Sequence, residues 1–240
     1  MELSVVIPVH NEQGNVHRVM REIDASLAGQ LEYEVIMVDD GSSDGTFGIL
    51  TQMRADFPNL QLIHHQENCG QSAALWTGVS SARAPWIATL DGDGQNDPAD
   101  ILPLLRLLKD KNPAAKSPAI VGYRRNRHDS LWKRGSSRIA NAIRSRLLGD
   151  QTPDTGCGLK VFARQTFLRL PYFDHMHRFL PALLQREGVQ VWSVEVRHRP
   201  REQGVSHYGV GNRLWVGIVD MLGVWWLLRR NKRPITDQED

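Results

Sequence analysis

An α/β fold built on a mostly parallel sheet, with helices on both faces, is what three features of the 240-residue chain predict. Short β-branched runs alternate with helical patterns through the first half. The runs are apolar along their whole length, as strands covered on both faces read. Acidic clusters follow the runs directly, at the strand ends beyond which open parallel sheets bind ligands.

The elements follow in order. "LSVVIPV" (3–9) is the first strand; no basic region precedes it, so the N-terminus reads as a strand and not as a signal peptide. "EQGNVHRVMREIDASLAG" (12–29) is an amphipathic helix that stops at a glycine. "YEVIMVD" (33–39) and "LQLIHH" (60–65) are strands, each followed by a helical pattern, over 44–57 and 71–83. "PWIATLD" (85–91) is the fourth strand and "PADILPLLRLLKD" (98–110) the fourth helix, with Asp97 as N-cap and Pro98 at its first position. "KNPAAKSPA" (111–119) is a loop, "AIVGYR" (119–124) a strand, and a basic stretch leads into a helix near 137–148. The loop "DQTPDTGCG" (150–158), a helix around 175–187 and the strand "VQVWSVEV" (189–196) follow, then a polar loop and a last apolar segment.

Composition narrows the function. With 41% hydrophobic residues the chain can bury a large core, and a net charge of +2 argues against general nucleic-acid binding. Two cysteines, Cys69 and Cys157, are too few for a disulfide framework and suit a reducing cytoplasm.

The chemistry sits in the acidic turns. In "DGDGQNDP" (91–98), Asp91 and Asp93 repel one another unless a positive group lies between them. With Gln95 they form an oxygen-only set suited to Mg²⁺ or Mn²⁺, ions that share a few protein oxygens with substrate phosphates. In "VDDGSSDGT" (38–46), Ser42, Ser43 or Asp44 can cap the next helix, leaving Asp39 and Asp40 over. A strand-end aspartate can accept from a ribose hydroxyl or a base edge. "NCGQSAA" puts Gly70 ahead of a helix, where backbone can approach a ligand closely.

"VVIPVHNE", "VIMVDDGSSDGT", "NCGQSAAL" and "ATLDGDGQNDP", in this order, resemble glycosyltransferase family 2, which has the GT-A fold. "GYR", "RGSSRIAN", "DTGCGLKVFAR" and "REQGVSHYG" are similar to the dolichol- and polyprenyl-phosphate sugar transferases within it. The resemblance implies a GT-A domain over 1–210, with a nucleotide-binding half (1–110) and an acceptor half (111–210). An amphipathic helix and a charged tail follow over 211–240. It implies that Pro8, Val9, Glu12, Asp40, Gly70, Gln71 and Asp91 line the nucleotide-sugar site and that Asp91, Asp93 and Gln95 hold the divalent ion. The implied reaction is an inverting, metal-dependent transfer from a UDP- or GDP-linked sugar to a polyprenyl phosphate.

An acceptor phosphate needs cations to hold it and no base. Arg124, Arg134, Ser137 and Arg201 are the residues the resemblance assigns to it. Many relatives carry lysine where this chain has His207. Asp154 is the base a hydroxyl acceptor would need, or else caps a turn or orients an arginine; a nucleophilic role for Cys157 is not expected. A nucleotide-sugar-binding scaffold without turnover, or a receiver-like signalling module read from "IMVDDGS", are the readings outside catalysis.

"LWVGIVDMLGVWWLL" (214–228) is fifteen residues long, short of the roughly twenty a span needs, and carries Asp220 mid-segment. Its tryptophans and the following "RRNKR" suit a membrane surface, with core packing, a homo-oligomer interface or an integral-membrane partner as the other uses. The expected location is cytoplasmic, peripheral at the cytoplasmic face of the membrane.

Overall fold

The computed structural model describes residues 1–110, 118–124, 144–150, 152–200 and 213–230. Seven strands form one sheet: β1 (Leu3–Val9), β2 (Tyr33–Asp40), β3 (Leu60–His65), β4 (Trp86–Thr89), β5 (Ala119–Tyr123), β6 (Lys160–Ala163) and β7 (Val191–Glu195). Their order across the sheet is β3-β2-β1-β4-β6-β5-β7. β6 runs antiparallel to both of its neighbours, and the remaining pairs are parallel.

Helices cover both faces, as the apolar strands require. Leu3, Val5, Ile7 and Val9 of β1 pack under α1 (Val16–Leu27), α2 (Thr46–Met53) and α4 (Ile101–Asp110) through Met20, Ile23, Leu50, Leu104 and Leu105. Val6, Ile36 and Val38 point the other way, as the two-residue period of a strand dictates. They meet Leu75 and Val79 of α3 (Gln71–Ser81), Phe167 of α5 (Arg164–Leu168) and Leu180, Leu183 and Leu184 of α6 (Leu180–Arg186). Each such side chain contributes roughly 1.5–3 kcal/mol on burial.

Several boundaries differ from the predicted ones. α1 starts at Val16, because residues 12–15 form a turn: Asn15 and Val16 both donate to the Glu12 carbonyl, and Thr46 Oγ1 accepts from Glu12 N. Asp97 Oδ1 accepts from Ala99 N at 3.0 Å, but the turn it caps, Pro98–Asp100, is 3-10 and leads into α4. The pattern expected over 175–187 divides into a 3-10 turn (Met176–Phe179) and α6, which restarts with Pro181 in its first turn. Residues 144–148 are helical, within the helix predicted there. β6 and α5 are not among the predicted elements, since four strand residues headed by a lysine carry no period to read.

α7 (Arg213–Leu228) follows the expectation of a helix lying along a surface. Val224 is buried against the α3–α6 side of the core, and Arg186 Nε donates to the Leu227 carbonyl at 3.1 Å. Asp220 Oδ2 faces His175 Nδ1 at 3.2 Å, which accounts for a charge in mid-segment. Among the described residues no helix is long and apolar enough to cross a membrane.

Candidate active site

A cleft of about 660 Å³ opens at the carboxyl ends of β1, β2 and β4. Pro8, Val9 and Glu12 form one wall, Asp40, Gly70 and Gln71 a second, and Asp91 and Asp93 the floor beside them. The seven residues expected at a nucleotide-sugar therefore share one cavity. The wall opposite comes from 155–158, Lys160, His177 and Arg178.

At the end of β2 the two spare aspartates separate by strand alternation. Asp39 is fully buried and serves the loop: Oδ2 accepts from His64 Nδ1 at 2.8 Å, and Oδ1 accepts from Ser42 Oγ. Asp40 lines the cleft, and its carboxylate accepts from His65 Nδ1 (2.7 Å), Cys69 N (3.0 Å) and Gly70 N (2.8 Å). Gly70 has φ +89°, a backbone region that glycine alone enters at no cost, and it turns both amides toward Asp40.

The end of β4 is built differently. Asp91 Oδ1 accepts from Gln71 Nε2 at 3.0 Å. Its carboxylate otherwise lies against Gly158, where an added Cβ would sit 2.3 Å from Oδ2. Burial first, and the charge of Asp93 second, push Asp91 up to about 6, although Lys160, Arg124 and Gln71 pull the other way. Lys160 is itself buried, donates to the Cys157 carbonyl, and is pulled below the usual lysine range by that burial. Asp93 Oδ1 accepts from Gln95 N at 3.1 Å. Gln95 lies in the same turn but off the cleft wall, its Nε2 3.4 Å from the Arg199 carbonyl. Two neighbouring carboxylates, with the charge of Asp93 raising Asp91 and hard oxygen donors only, fit a Mg²⁺ or Mn²⁺ ion, whose charge would reverse the repulsion.

Behind this wall Arg124 and Asp154 form a bidentate pair, Nε to Oδ2 at 2.6 Å and Nη2 to Oδ1 at 3.0 Å. Burial opposes the arginine's charge, but the Asp154 bonds and charge outweigh it and raise its pKa. Asp154 thus orients an arginine, one of its three sequence readings. Arg134, Ser137, Arg201 and His207 lie outside the described residues. The Cys157 thiol is buried, and burial pushes its pKa up, which disfavours the thiolate a nucleophile needs.

Four residues at the site were not legible beforehand: His65, Lys160, His177 and Arg178. Ser72, in the first turn of α3, bonds His177 Nδ1 at 2.7 Å; burial, then Lys160 and Arg178, push His177 down to about 3 and keep it neutral. A histidine closing a strand beside an aspartate pair, as in "LIHH", was the available signal for His65.

The family described as Glycosyl transferase family 2 matches residues 4–170. The chain belongs to glycosyltransferase family 2. It is 35% identical over 241 residues to the dodecaprenyl-phosphate galacturonate synthase of Rhizobium johnstonii, covering 98% of this chain and 69% of that one. It is 33% identical to the undecaprenyl-phosphate 4-deoxy-4-formamido-L-arabinose transferase of Sodalis glossinidius, covering 87% of this chain and 63% of that one, so it spans less than two thirds of the latter's length. Among solved structures, glucosyl-3-phosphoglycerate synthase from Mycobacterium tuberculosis in complex with UDP superposes with a TM-score of 0.63 at 17% identity, covering 97% of this chain and 81% of that one. S. aureus TarS 1–349 in complex with UDP-GlcNAc gives 0.64 at 16%, covering 95% and 67%. The fold of this family 2 glycosyltransferase is GT-A.

Proposed function

We propose that the enzyme transfers a sugar, with inversion, from a UDP-linked donor to a polyprenyl phosphate. The observation that carries this reading is the convergence of Asp40, Asp91, Asp93 and Lys160 on one cleft beside the Arg124–Asp154 pair. Two relatives whose names give polyprenyl-phosphate acceptors, at 35% and 33% identity, support the acceptor class.

Each residue has a part. Asp40 accepts from the base, while Pro8 and Val9 flank it. Asp91 and Asp93 are the residues that would hold Mg²⁺ or Mn²⁺, and Gln95, off the cleft wall in the same turn, would have to turn from the Arg199 carbonyl to join them. The bound ion supplies Lewis-acid neutralisation of the leaving diphosphate. Lys160 adds a buried positive charge on the same side. Arg124, oriented by Asp154, holds the acceptor phosphate, and Arg134, Ser137 and Arg201 are assigned to the same phosphate. An acceptor phosphate oxygen forms the new bond to the anomeric carbon as the bond from that carbon to the diphosphate oxygen breaks, and UDP leaves with the electron pair. No base is required, because the nucleophile is already an anion. A hydroxyl acceptor would need one, and both oxygens of Asp154 are taken by Arg124.

The lipid tail of such an acceptor stays in the bilayer, so the enzyme works at its surface, on the cytoplasmic side. α7 suits that position: Trp215, Ile218, Val219, Leu222 and Trp226 are exposed along one flank, and the Arg229 guanidinium lies 3.5 Å from the centre of the Trp225 ring. Anionic headgroups would add about 1 kcal/mol per nearby arginine.

The test is transfer from a panel of UDP-hexoses, UDP-hexuronates and UDP-amino sugars to undecaprenyl phosphate, with Mn²⁺ or EDTA, read by mass spectrometry of the lipid. A sugar–phosphate–lipid product that EDTA abolishes is expected; transfer to a sugar hydroxyl instead would overturn the acceptor. Flotation with liposomes, reversed by high salt, checks the surface placement.

A further inference from the structure

We propose that His65 is a positioning residue that makes the base pocket select uracil over guanine, by holding Asp40 with a single acceptor position open. This rests on the nucleotide-sugar reading above and adds the means of base selection.

The hydrogen bonds around Asp40 carry the inference. A carboxylate offers roughly four lone-pair positions, two on each oxygen. Oδ1 accepts from His65 Nδ1 at 2.7 Å and from Cys69 N at 3.0 Å, which fills it. Oδ2 accepts from Gly70 N at 2.8 Å, so among the described residues one position remains, and it belongs to Oδ2. Uracil presents a single N–H donor, N3–H, between two carbonyls. Guanine presents N1–H and N2–H side by side, a pair that needs both oxygens of a carboxylate. With Oδ1 saturated, guanine would leave one donor unpaired in the cleft, a loss of about ten- to a hundredfold in affinity.

The ring is held in place for this work. The Asp40 carboxylate accepts, so a hydrogen lies on His65 Nδ1, and the ring's Nε2 is bonded to Thr77 Oγ1 at 3.0 Å. β3 and α3 thereby fix the ring from two sides. Asp40, His65 and Cys69 lie close together, and the Asp40 Oδ1 bonds to His65 Nδ1 and Cys69 N tie the three into a hydrogen-bond network. Cys69 N and Gly70 N are backbone donors that a side-chain change does not remove. His65 is the only side chain among the described residues that donates to the Asp40 carboxylate, so it decides whether Oδ1 is full.

Calorimetric binding of UDP and of GDP to the full chain, both with Mn²⁺, tests this without any acceptor. The native enzyme is expected to bind UDP at least tenfold more tightly than GDP. His65→Leu should weaken UDP a few-fold, leave GDP equal or tighter, and shrink the UDP/GDP ratio at least fivefold. His65→Asn, which keeps a donor near the Nδ1 position, should restore most of the ratio. Thr77→Val, which frees the ring but leaves it in place, should move the ratio the same way by less, and it serves if His65→Leu does not fold. A native preference for GDP, or a ratio unchanged in both His65→Leu and Thr77→Val, overturns the proposal while leaving sugar transfer standing. Binding of neither nucleotide overturns the donor reading itself.

Discussion

The acidic ends of β2 and β4 flank the end of β1 in the same cleft and treat their carboxylates in opposite ways. Asp39 and Asp40 are met by side-chain or backbone donors on both oxygens, from His64, Ser42, His65, Cys69 and Gly70. Asp91, with Gln71 as its hydrogen-bonding partner and Asp93 as its neighbour, holds its proton up to about 6. The first pair is finished by the fold and can present a fixed acceptor to a base. The second is left electrostatically incomplete, as the holder of the proposed cation would be. One strand end stabilises the protein, and the other costs stability, which binding of the proposed cation would recover.

Four substitutions test this contrast, in descending order of effect. Asp93→Ala should reduce turnover a thousandfold or more, roughly 4 kcal/mol of transition-state stabilisation, while the melting temperature holds or rises. Residual activity that still depends on Mn²⁺ would mean the ion is held elsewhere. Arg124→Ala should cost about 3–5 kcal/mol of stability, because it removes the guanidinium from a bidentate pair with the buried Asp154 carboxylate. Denaturant melts read that loss, and Arg124→Ala together with Asp154→Ala should recover part of it without recovering acceptor use.

Asp91→Asn should do the reverse of a normal buried-site change and stabilise the metal-free protein by roughly 1–2 kcal/mol at pH 8, less than the full shift because the carboxylate opens on the cleft. The pH dependence follows from the direction of the shift. Between the usual 3.8 and about 6 the native Asp91 keeps a proton that the unfolded chain has released. Its contribution to stability is therefore complete at low pH and lost as pH rises through about 6. Melting temperatures of native and Asp91→Asn protein in EDTA should converge near pH 4 and part above pH 6. The smallest effect belongs to the other strand end: Ser42→Ala should cost about 1 kcal/mol by removing a partly buried hydrogen bond to Asp39, and metal dependence should not move.

How far the site could be read from sequence follows from how it is assembled. Asp91, Asp93 and Asp40 stand out because each turn holds more carboxylates than its capping needs, and an excess of like charge at a strand end has few uses. The first four strands were legible because a fully covered strand is apolar throughout. Lys160 and His177 were not, since nothing in "GLKVF" or "HMHRF" says that an antiparallel strand and a turn some 80 residues later return to the end of β4. Gln71 was legible only as part of a motif, and its bond to Asp91 crosses from the start of α3 to the turn after β4.

The antiparallel strand has a temporal consequence. Sequential strands β1 to β4 can assemble as soon as their helices exist, but one side of β4 pairs with residues 160–163. Until that segment is synthesised β4 is a bare edge, the kind of exposed ladder that recruits other chains. The loop that begins β6 also delivers Gly158 and Lys160 to the cleft, so closing the edge and completing the catalytic wall are one event. A chain stalled shortly before Lys160 should therefore aggregate and bind no nucleotide sugar, and pulse-labelled hydrogen exchange on the full chain should find β1 and β2 protected before β4 and β6.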